Sequence, residues 1–306
     1  MDYRELIPAP RLRRYIRCYW TLRAPAPEAS AAQRVLPDGC VEIIVNLGDQ
    51  FLRHDAAGQV ERQPRTLVVG PTTRHMSIAP TGVISLVGIR FAPGGALPFL
   101  SASPLELRDT APALDLVGIR FEPALAERLA AALPGTEAAI LDLALAPQLD
   151  RARRIPDRRI LASVRAAFAT QRSVSVDALV QLTGWSARQL ERQFRDTVGF
   201  GPKTLCRLAR FQRIVRAVEP SNRPSWARLA AHAGYADQSH LAREFREFAG
   251  TTLTDYVREL HPMSDHFHTG TLGEDLAAGE VPAMSDSFKT RRASIGKLSQ
   301  IPASDA

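Results

Sequence analysis

Two stretches in the last third of the chain carry side chains suited to reading nucleic-acid bases. Arg188, Glu191 and Arg192 follow Gly184-Trp185-Ser186, and Gln238, Ser239, Ala242 and Arg243 follow Gly234-Tyr235-Ala236. An arginine guanidinium can fork onto guanine O6 and N7, and a glutamine amide onto adenine N6 and N7. A bidentate contact of this kind discriminates bases by roughly 1–3 kcal/mol. A small residue such as Ala242 leaves room for a thymine methyl group. Arg195 and Arg246 lie a turn further along, where phosphates are the expected partners.

Side chains can do this only from a helix that buries one face and offers the other. The two stretches are copies of one pattern. The first runs from Gly184 to Arg195 and then Gly199, the second from Gly234 to Arg246 and then Gly250. The glycine offsets are 50 and 51, so the second copy carries one extra residue near its turn. Leu190 and Phe194 recur at helical spacing in the first copy, and Leu241, Phe245 and Phe248 in the second. These must face a core, leaving the arginines outward. Ser186 and Gln189 form an S-x-x-Q capping box at the start of the first reading helix. Apolar helical stretches, Ser175 to Leu182 and Ser225 to Ala233, precede the two copies. Helix, glycine turn, helix is the helix-turn-helix pattern.

Residues 203–218 should form one connecting helix, opened by Pro202. Its 16 residues span roughly 24 Å at 1.5 Å per residue. Successive major-groove faces lie about 34 Å apart, so one chain can occupy two adjacent major grooves. The copies differ where they would touch bases, which predicts an asymmetric site per chain.

Charge follows the same division. Residues 1–150 hold 15 Lys and Arg against 16 Asp and Glu, residues 151–260 hold 20 against 10, and residues 261–306 hold 4 against 6. The net charge of +7 therefore comes from the segment with the repeat. Basic residues gathered on one domain are the footprint of phosphate binding.

The remainder divides into a strand-rich start and a helical middle. Residues 41–47, 66–69 and 83–91 read as short strands closed by Gly and Pro turns. They suggest a small antiparallel sandwich or barrel. Pro123 to Leu133 and Glu137 to Leu145 read as amphipathic helices. Arg151 to Asp157 reads as a linker, Asp157 caps a helix through Phe168, and Thr254 to Leu260 is a closing helix. Residues 265–306 are expected to be largely disordered. The fold class expected is α+β, with domains at 1–150 and 157–260.

Residues 157–260 resemble the DNA-binding domain of the AraC/XylS family of bacterial transcription regulators. The resemblance rests on Leu179 to Gly184, Leu190-x-Arg192-x-Phe194-Arg195, Gly199-x-Gly201-Pro202, and Leu229-Ala230-x-x-Ala233-Gly234-Tyr235-x-Asp237-Gln238-Ser239-His240-Leu241-x-Arg243-x-Phe245-Arg246. It implies that the two reading helices enter adjacent major grooves. It implies base-facing roles for Arg188, Glu191 and Arg192, and for Gln238, Ser239, Ala242 and Arg243. With His240 and the phosphate-facing Arg195 and Arg246, these make the expected DNA-contacting set. Leu253 stands where the family commonly has proline, which touches the last helix and not the reading surface. The resemblance also implies an N-terminal ligand-sensing or dimerising domain, often a cupin-like β-barrel followed by helices. Arg14 to Trp20 and Leu36 to Glu42 resemble an uncharacterised N-terminal domain found in some of these regulators.

The function expected is a sequence-specific transcription regulator. Its partners are a double-stranded DNA operator, a small-molecule effector of unknown identity, RNA polymerase if it activates, and a second copy of the chain. Trp20, Arg34, Glu42, Asn46, His75 and Arg90 are the candidates for the effector site. No cofactor is expected, since His54 and His75 stand 21 residues apart without the ligand cluster a metal needs. His261, His266 and His268 fall in the tail. Cys18, Cys40 and Cys206 are too few and too scattered for a disulfide framework or a zinc knuckle. Cys18 and Cys40 could sense oxidants or lie inert in a core. Neither a signal peptide nor an apolar run of membrane-spanning length is found, so a cytoplasmic protein is expected. Two alternatives stay open: a DNA-localised enzyme or repair protein with an unrecognised catalytic N-terminal domain, and a regulator whose N-terminal domain only dimerises.

Overall fold

The computed structural model describes residues 1–27, 32–54, 59–117, 121, 124–169, 173–218 and 225–259. The expected tail at 265–306 and His261, His266 and His268 lie outside them.

Among the described residues nine strands come first: β1 (Asp2–Leu6), β2 (Ile16–Ala24), β3 (Gln33–Val35), β4 (Glu42–Asn46), β5 (Leu52–His54), β6 (Val60–Arg62), β7 (Thr66–Val69), β8 (Met76–Ala79) and β9 (Ile84–Phe91). They form a five-stranded sheet in the order β1-β2-β9-β4-β7 and a four-stranded sheet in the order β3-β8-β5-β6. Every ladder is antiparallel. Among the described residues no ladder joins the two sheets, so the body is an open pair of sheets and not a closed barrel.

Period-two alternation explains how the larger sheet packs. Ile43, Val45, Val87, Ile89 and Phe91 point to one face, where Leu125, Leu129, Leu141 and Leu145 cover them. The helices that bring those leucines are α1 (Leu125–Ala130) and α2 (Glu137–Asp150). The other face carries Cys18, Trp20, Leu22, Ile84 and Leu86, which meet Ile78 of the smaller sheet and Phe51. Because β9 is covered on both faces, it reads as an almost continuous apolar run. Gly88 is required there, since a Cβ would lie 2.0 Å from the Trp20 ring.

Helix α1 is shorter than the expected 123–133, and α2 runs past the expected end at Leu145. Pro147 sits inside α2. A proline clashes with the carbonyl four residues back. That residue, Leu143, is 68% exposed, so water can take up its carbonyl.

The C-terminal helices are α3 (Arg158–Ala169), α4 (Val176–Thr183), α5 (Ala187–Val198), α6 (Pro202–Ala217), α7 (Trp226–Ala233), α8 (Gln238–Ala249) and α9 (Leu253–Glu259). They share one core, centred on Leu208, Phe211 and Ile214 of α6 and on Phe194, Phe245 and Phe248. The strand-rich domain enters that core too, through Leu36 and Cys40. The chain is thus a sheet-rich domain followed by a helical one.

Candidate nucleic-acid interface

Each half of the helical domain is a helix pair closed by a left-handed glycine. Helix α4 starts at Ser175, whose side chain accepts from the Ala178 amide, and ends at Gly184 with φ +69°. Helix α7 ends at Gly234 with φ +85°. Only glycine adopts this conformation without steric cost. The reading helices follow directly. Ser186 caps α5, its Oγ accepting from the Gln189 amide at 3.3 Å while Gln189 Oε1 accepts from the Ser186 amide at 3.0 Å. Asp237 caps α8 by accepting from the His240 amide at 2.7 Å. Gly199 and Gly250 end these two helices, again with positive φ.

This framework fixes which side chains face out. Arg188, Arg192 and Arg195 of α5 are exposed, while Leu190 and Phe194 are wholly buried. Gln238, Ser239, Ala242, Arg243 and Arg246 of α8 are exposed over buried Leu241, Phe245 and Phe248. Two members of the expected set stand apart. Glu191 is half-buried and accepts from Arg195 Nε at 2.8 Å, with its carboxylate against Gly201. His240 is half-buried, edge-on to the Tyr235 ring at 5.3 Å and 4.0 Å from Glu244.

Helix α6 holds both pairs. Phe211 packs on Phe245 and Phe248 with ring centroids 5.3 and 5.1 Å away. Glu244 of α8 is 4% exposed and accepts from Arg207 Nε at 2.7 Å and from Arg210 at 3.1 Å. Arg207 also stacks over Phe248 and Arg210 over Tyr235, each 5.0 Å from the ring centroid. On the first pair, Arg159 of α3 lies 4.0 Å over the Trp185 ring. The sequence does not disclose these positioning contacts, because exposed and paired arginines look alike in it. Gln212 leaves a trace: it sits on the apolar face of α6, three and four residues after Ala209 and Leu208. It is 2% exposed and donates to the Pro37 carbonyl at 2.6 Å.

The candidates in the sheet-rich domain separate into two groups. Glu42, Asn46 and Arg90 line a cavity between the sheets, together with Asp38, Cys40, Gln63, Thr72 and apolar residues from β4, β7, β8 and β9. The space in it open to the centre of a water molecule is about 50 Å³. Arg90 is 2% exposed and paired with Glu42, with Asp38 4.0 Å away. Burial opposes the Arg90 charge, but Glu42 beside it holds the guanidinium well above its usual range. Burial pushes the Glu42 carboxyl up against the pull of Arg90. Trp20, Arg34 and His75 are not in this lining. Trp20 packs beneath Gly88 in the core between the sheets. Arg34 pairs with Glu259 of α9 at 2.8 Å. His75 donates its backbone N–H to the Phe248 carbonyl at 2.9 Å. Among the described residues no group of three or more His, Cys, Asp or Glu is placed to hold a metal. No helix there is long and apolar enough to cross a membrane.

Family models match two stretches of the chain. Residues 4–113 match a domain of unknown function, DUF6597. Residues 179–259 match the helix-turn-helix domain family. No curated protein matches the chain. Among solved structures the chain is similar to ToxT from Vibrio cholerae, with a TM-score of 0.47 at 8% identity over 79% of this chain and 98% of that one. A wild-type ToxT structure described as bound to an unsaturated fatty acid has a TM-score of 0.42 at 11% identity, over 78% of this chain and 94% of that one. The chain carries, over residues 179–259, a helix-turn-helix domain of the AraC type.

Proposed function

We propose that this chain is a transcription regulator that reads two adjacent major-groove segments and is tuned by a small molecule. The observation that carries the reading is the pair of capped helices, α5 and α8, mounted on one connector with arginine-bearing faces outward. Arg188 and Arg192 read bases from α5, with Glu191 held beside them by Arg195. Gln238, Ser239, Ala242 and Arg243 read bases from α8. Arg195 and Arg246 meet phosphates, and His240 orients the start of α8. Residues 157–260 are the reading domain and residues 1–150 the sensing domain, cupin-like in outline. The cavity holding Glu42, Asn46 and Arg90 receives the effector. RNA polymerase, if the chain activates, and a second copy of the chain are its further partners, and the sensing domain has no catalytic role.

Selection from a random pool of duplex DNA with the full chain tests this. The expected product is an asymmetric motif with two conserved blocks about one helical turn, ~10 base pairs, apart. Binding that depends on salt but enriches no sequence would overturn the reading, because phosphate contacts alone carry no sequence information.

A further inference from the structure

Two segments of the sheet-rich domain are walls with the cavity on one side and the helical domain on the other. In the first, Leu36 and Cys40 touch both sides, since they also belong to the core built around α6. Leu36, Asp38 and Cys40 line the cavity. Between them, the Pro37 carbonyl accepts from Gln212 of α6 at 2.6 Å. Gly39 lies against α6 as well: a Cβ there would stand 2.9 Å from Leu208 Cδ2.

The second wall runs from Gly70 to His75, between β7 and β8. Thr72 lines the cavity, flanked by Val69 and Met76. Its two ends reach the ends of both reading helices. Pro71 meets the end of α5, where a Cβ on Gly199 would stand 2.7 Å from Pro71 Cγ. His75 meets the end of α8, where a Cβ on Gly250 would stand 1.9 Å from the imidazole. The His75 amide also satisfies the Phe248 carbonyl in the last turn of α8, a group with no partner inside the helix.

The geometry points to a gauge: the segment Gly70–His75 sets the separation of α5 and α8, the segment Leu36–Cys40 seats α6, and both pass cavity occupancy on to DNA binding. Each wall is a single stretch of backbone, so filling the cavity displaces backbone that touches α6 in one wall and the ends of α5 and α8 in the other. Packed interfaces of this kind shift between discrete arrangements and do not deform smoothly. By linkage, DNA binding must tighten or loosen the cavity by the same factor. This rests on the DNA-reading function proposed above and adds how that function is regulated.

The test uses the full chain, with a buried side chain as the occupant. Ile44 lines the cavity from β4, outside both wall segments, so Ile44→Phe fills the cavity from the sheet. Val69→Leu is the milder filling if Ile44→Phe does not fold. Amide exchange in the free protein is the first readout. Altered protection is expected at residues 205–215 and 245–250, with residues 176–183 unchanged. Alteration confined to the sheets overturns the gauge.

The second readout is affinity for the selected duplex. A change of about 5-fold or more is expected from the filling, and it should vanish in the His75→Ala, Gln212→Leu background. An equal change in both backgrounds overturns the gauge, since a merely structural effect is additive. Failure to select any duplex would tell against DNA reading itself, and the exchange readout would then decide the gauge alone.

Discussion

Arg207 of α6 donates through Nε to Glu244 of α8 at 2.7 Å, and Glu244 is 4% exposed. With Arg210 donating to both of its oxygens, this carboxylate fixes α8 on the connector. Removing one partner of a buried pair leaves the other charge uncompensated, at a cost of about 3–5 kcal/mol. Glu244→Ala is therefore expected to destabilise the fold by about 3 kcal/mol in urea denaturation. Glu247, which Arg207 also contacts, is 61% exposed, and Glu247→Ala should cost under about 1 kcal/mol. Equal costs for the two would refute the assigned role of Glu244.

The glycines that close the helix pairs differ in their surroundings. Gly184 has φ +69° and open space within 4 Å of where a Cβ would stand, whereas a Cβ on Gly250 at φ +67° would run into His75. Gly184→Ala should cost only the left-handed backbone penalty, about 1–2 kcal/mol. Gly250→Ala should cost more and also move the end of α8. Thermal melts of the two variants compare them. A smaller loss for Gly250→Ala would mean that His75 does not abut α8.

Much of the helical domain was legible from local rules. The capping box at Ser186 and Gln189 and the Asp157 cap lie within four residues of sequence, and the Leu190–Phe194 spacing announces a buried face. Helix α6 was expected at 203–218 and spans Pro202–Ala217. The strands β4, β7 and β9 were visible because β-branched runs met glycine turns. Sequence could not show which sheet each short strand joins, because that depends on pairings such as Cys18 with Arg90. It could not separate Arg34 and His75 from Arg90 either. All three are polar residues near strands, and only the docking of the helical domain turns the first two outward to α9 and α8. Glu191 and His240 illustrate the same limit on the helix surface, since a half-buried ion pair and a ring contact involve neighbours that helical periodicity does not weigh.

Base reading by α5 and α8 can be dissected one helix at a time. Arg192→Ala should weaken binding to the selected duplex by about 1–3 kcal/mol and relax preference in one block only. Arg243→Ala should do the same in the other block. Arg246→Ala should weaken all sequences alike and lower the salt slope by about one. Competition binding against single-base variants of the duplex distinguishes these patterns. Preference relaxing in both blocks with either variant would contradict the assignment of one helix to each block.

His75 gives the interface a pH dependence of known sign. Burial, with Arg34 and Arg74 nearby, holds its imidazole below the usual histidine value. The unfolded chain takes up a proton near pH ~6.5, and the folded chain only at lower pH. The stabilisation is thus fully present above pH ~6.5 and is lost as pH falls towards the lowered folded value. Urea midpoints measured from pH 7.5 downward should drop more steeply in the wild-type chain than in His75→Gln. Parallel curves would show that the imidazole is not the group responsible.

The thiols report on the same interface. Burial pushes Cys18 up to about 12 and Cys206 up to about 11, and lifts Cys40 well above its usual value. The thiolate is the reactive form, so at pH 8 a thiol at 12 is ionised in roughly one molecule in ten thousand. Iodoacetamide should leave the native chain almost unlabelled and modify Cys18, Cys40 and Cys206 once urea unfolds it. Stoichiometric labelling of native Cys18 or Cys40 would instead support oxidant sensing. Cys40 is the informative site, because it lines the cavity and also belongs to the core built around α6. Its labelling rate measures how often Leu36–Cys40 leaves its seat. Gln212→Leu removes the hydrogen bond to Pro37 and should raise that rate while leaving Cys18, packed between the sheets, protected. A parallel rise at Cys18 would mean that the whole sheet-rich domain opens and that the seat on α6 is not a separate element.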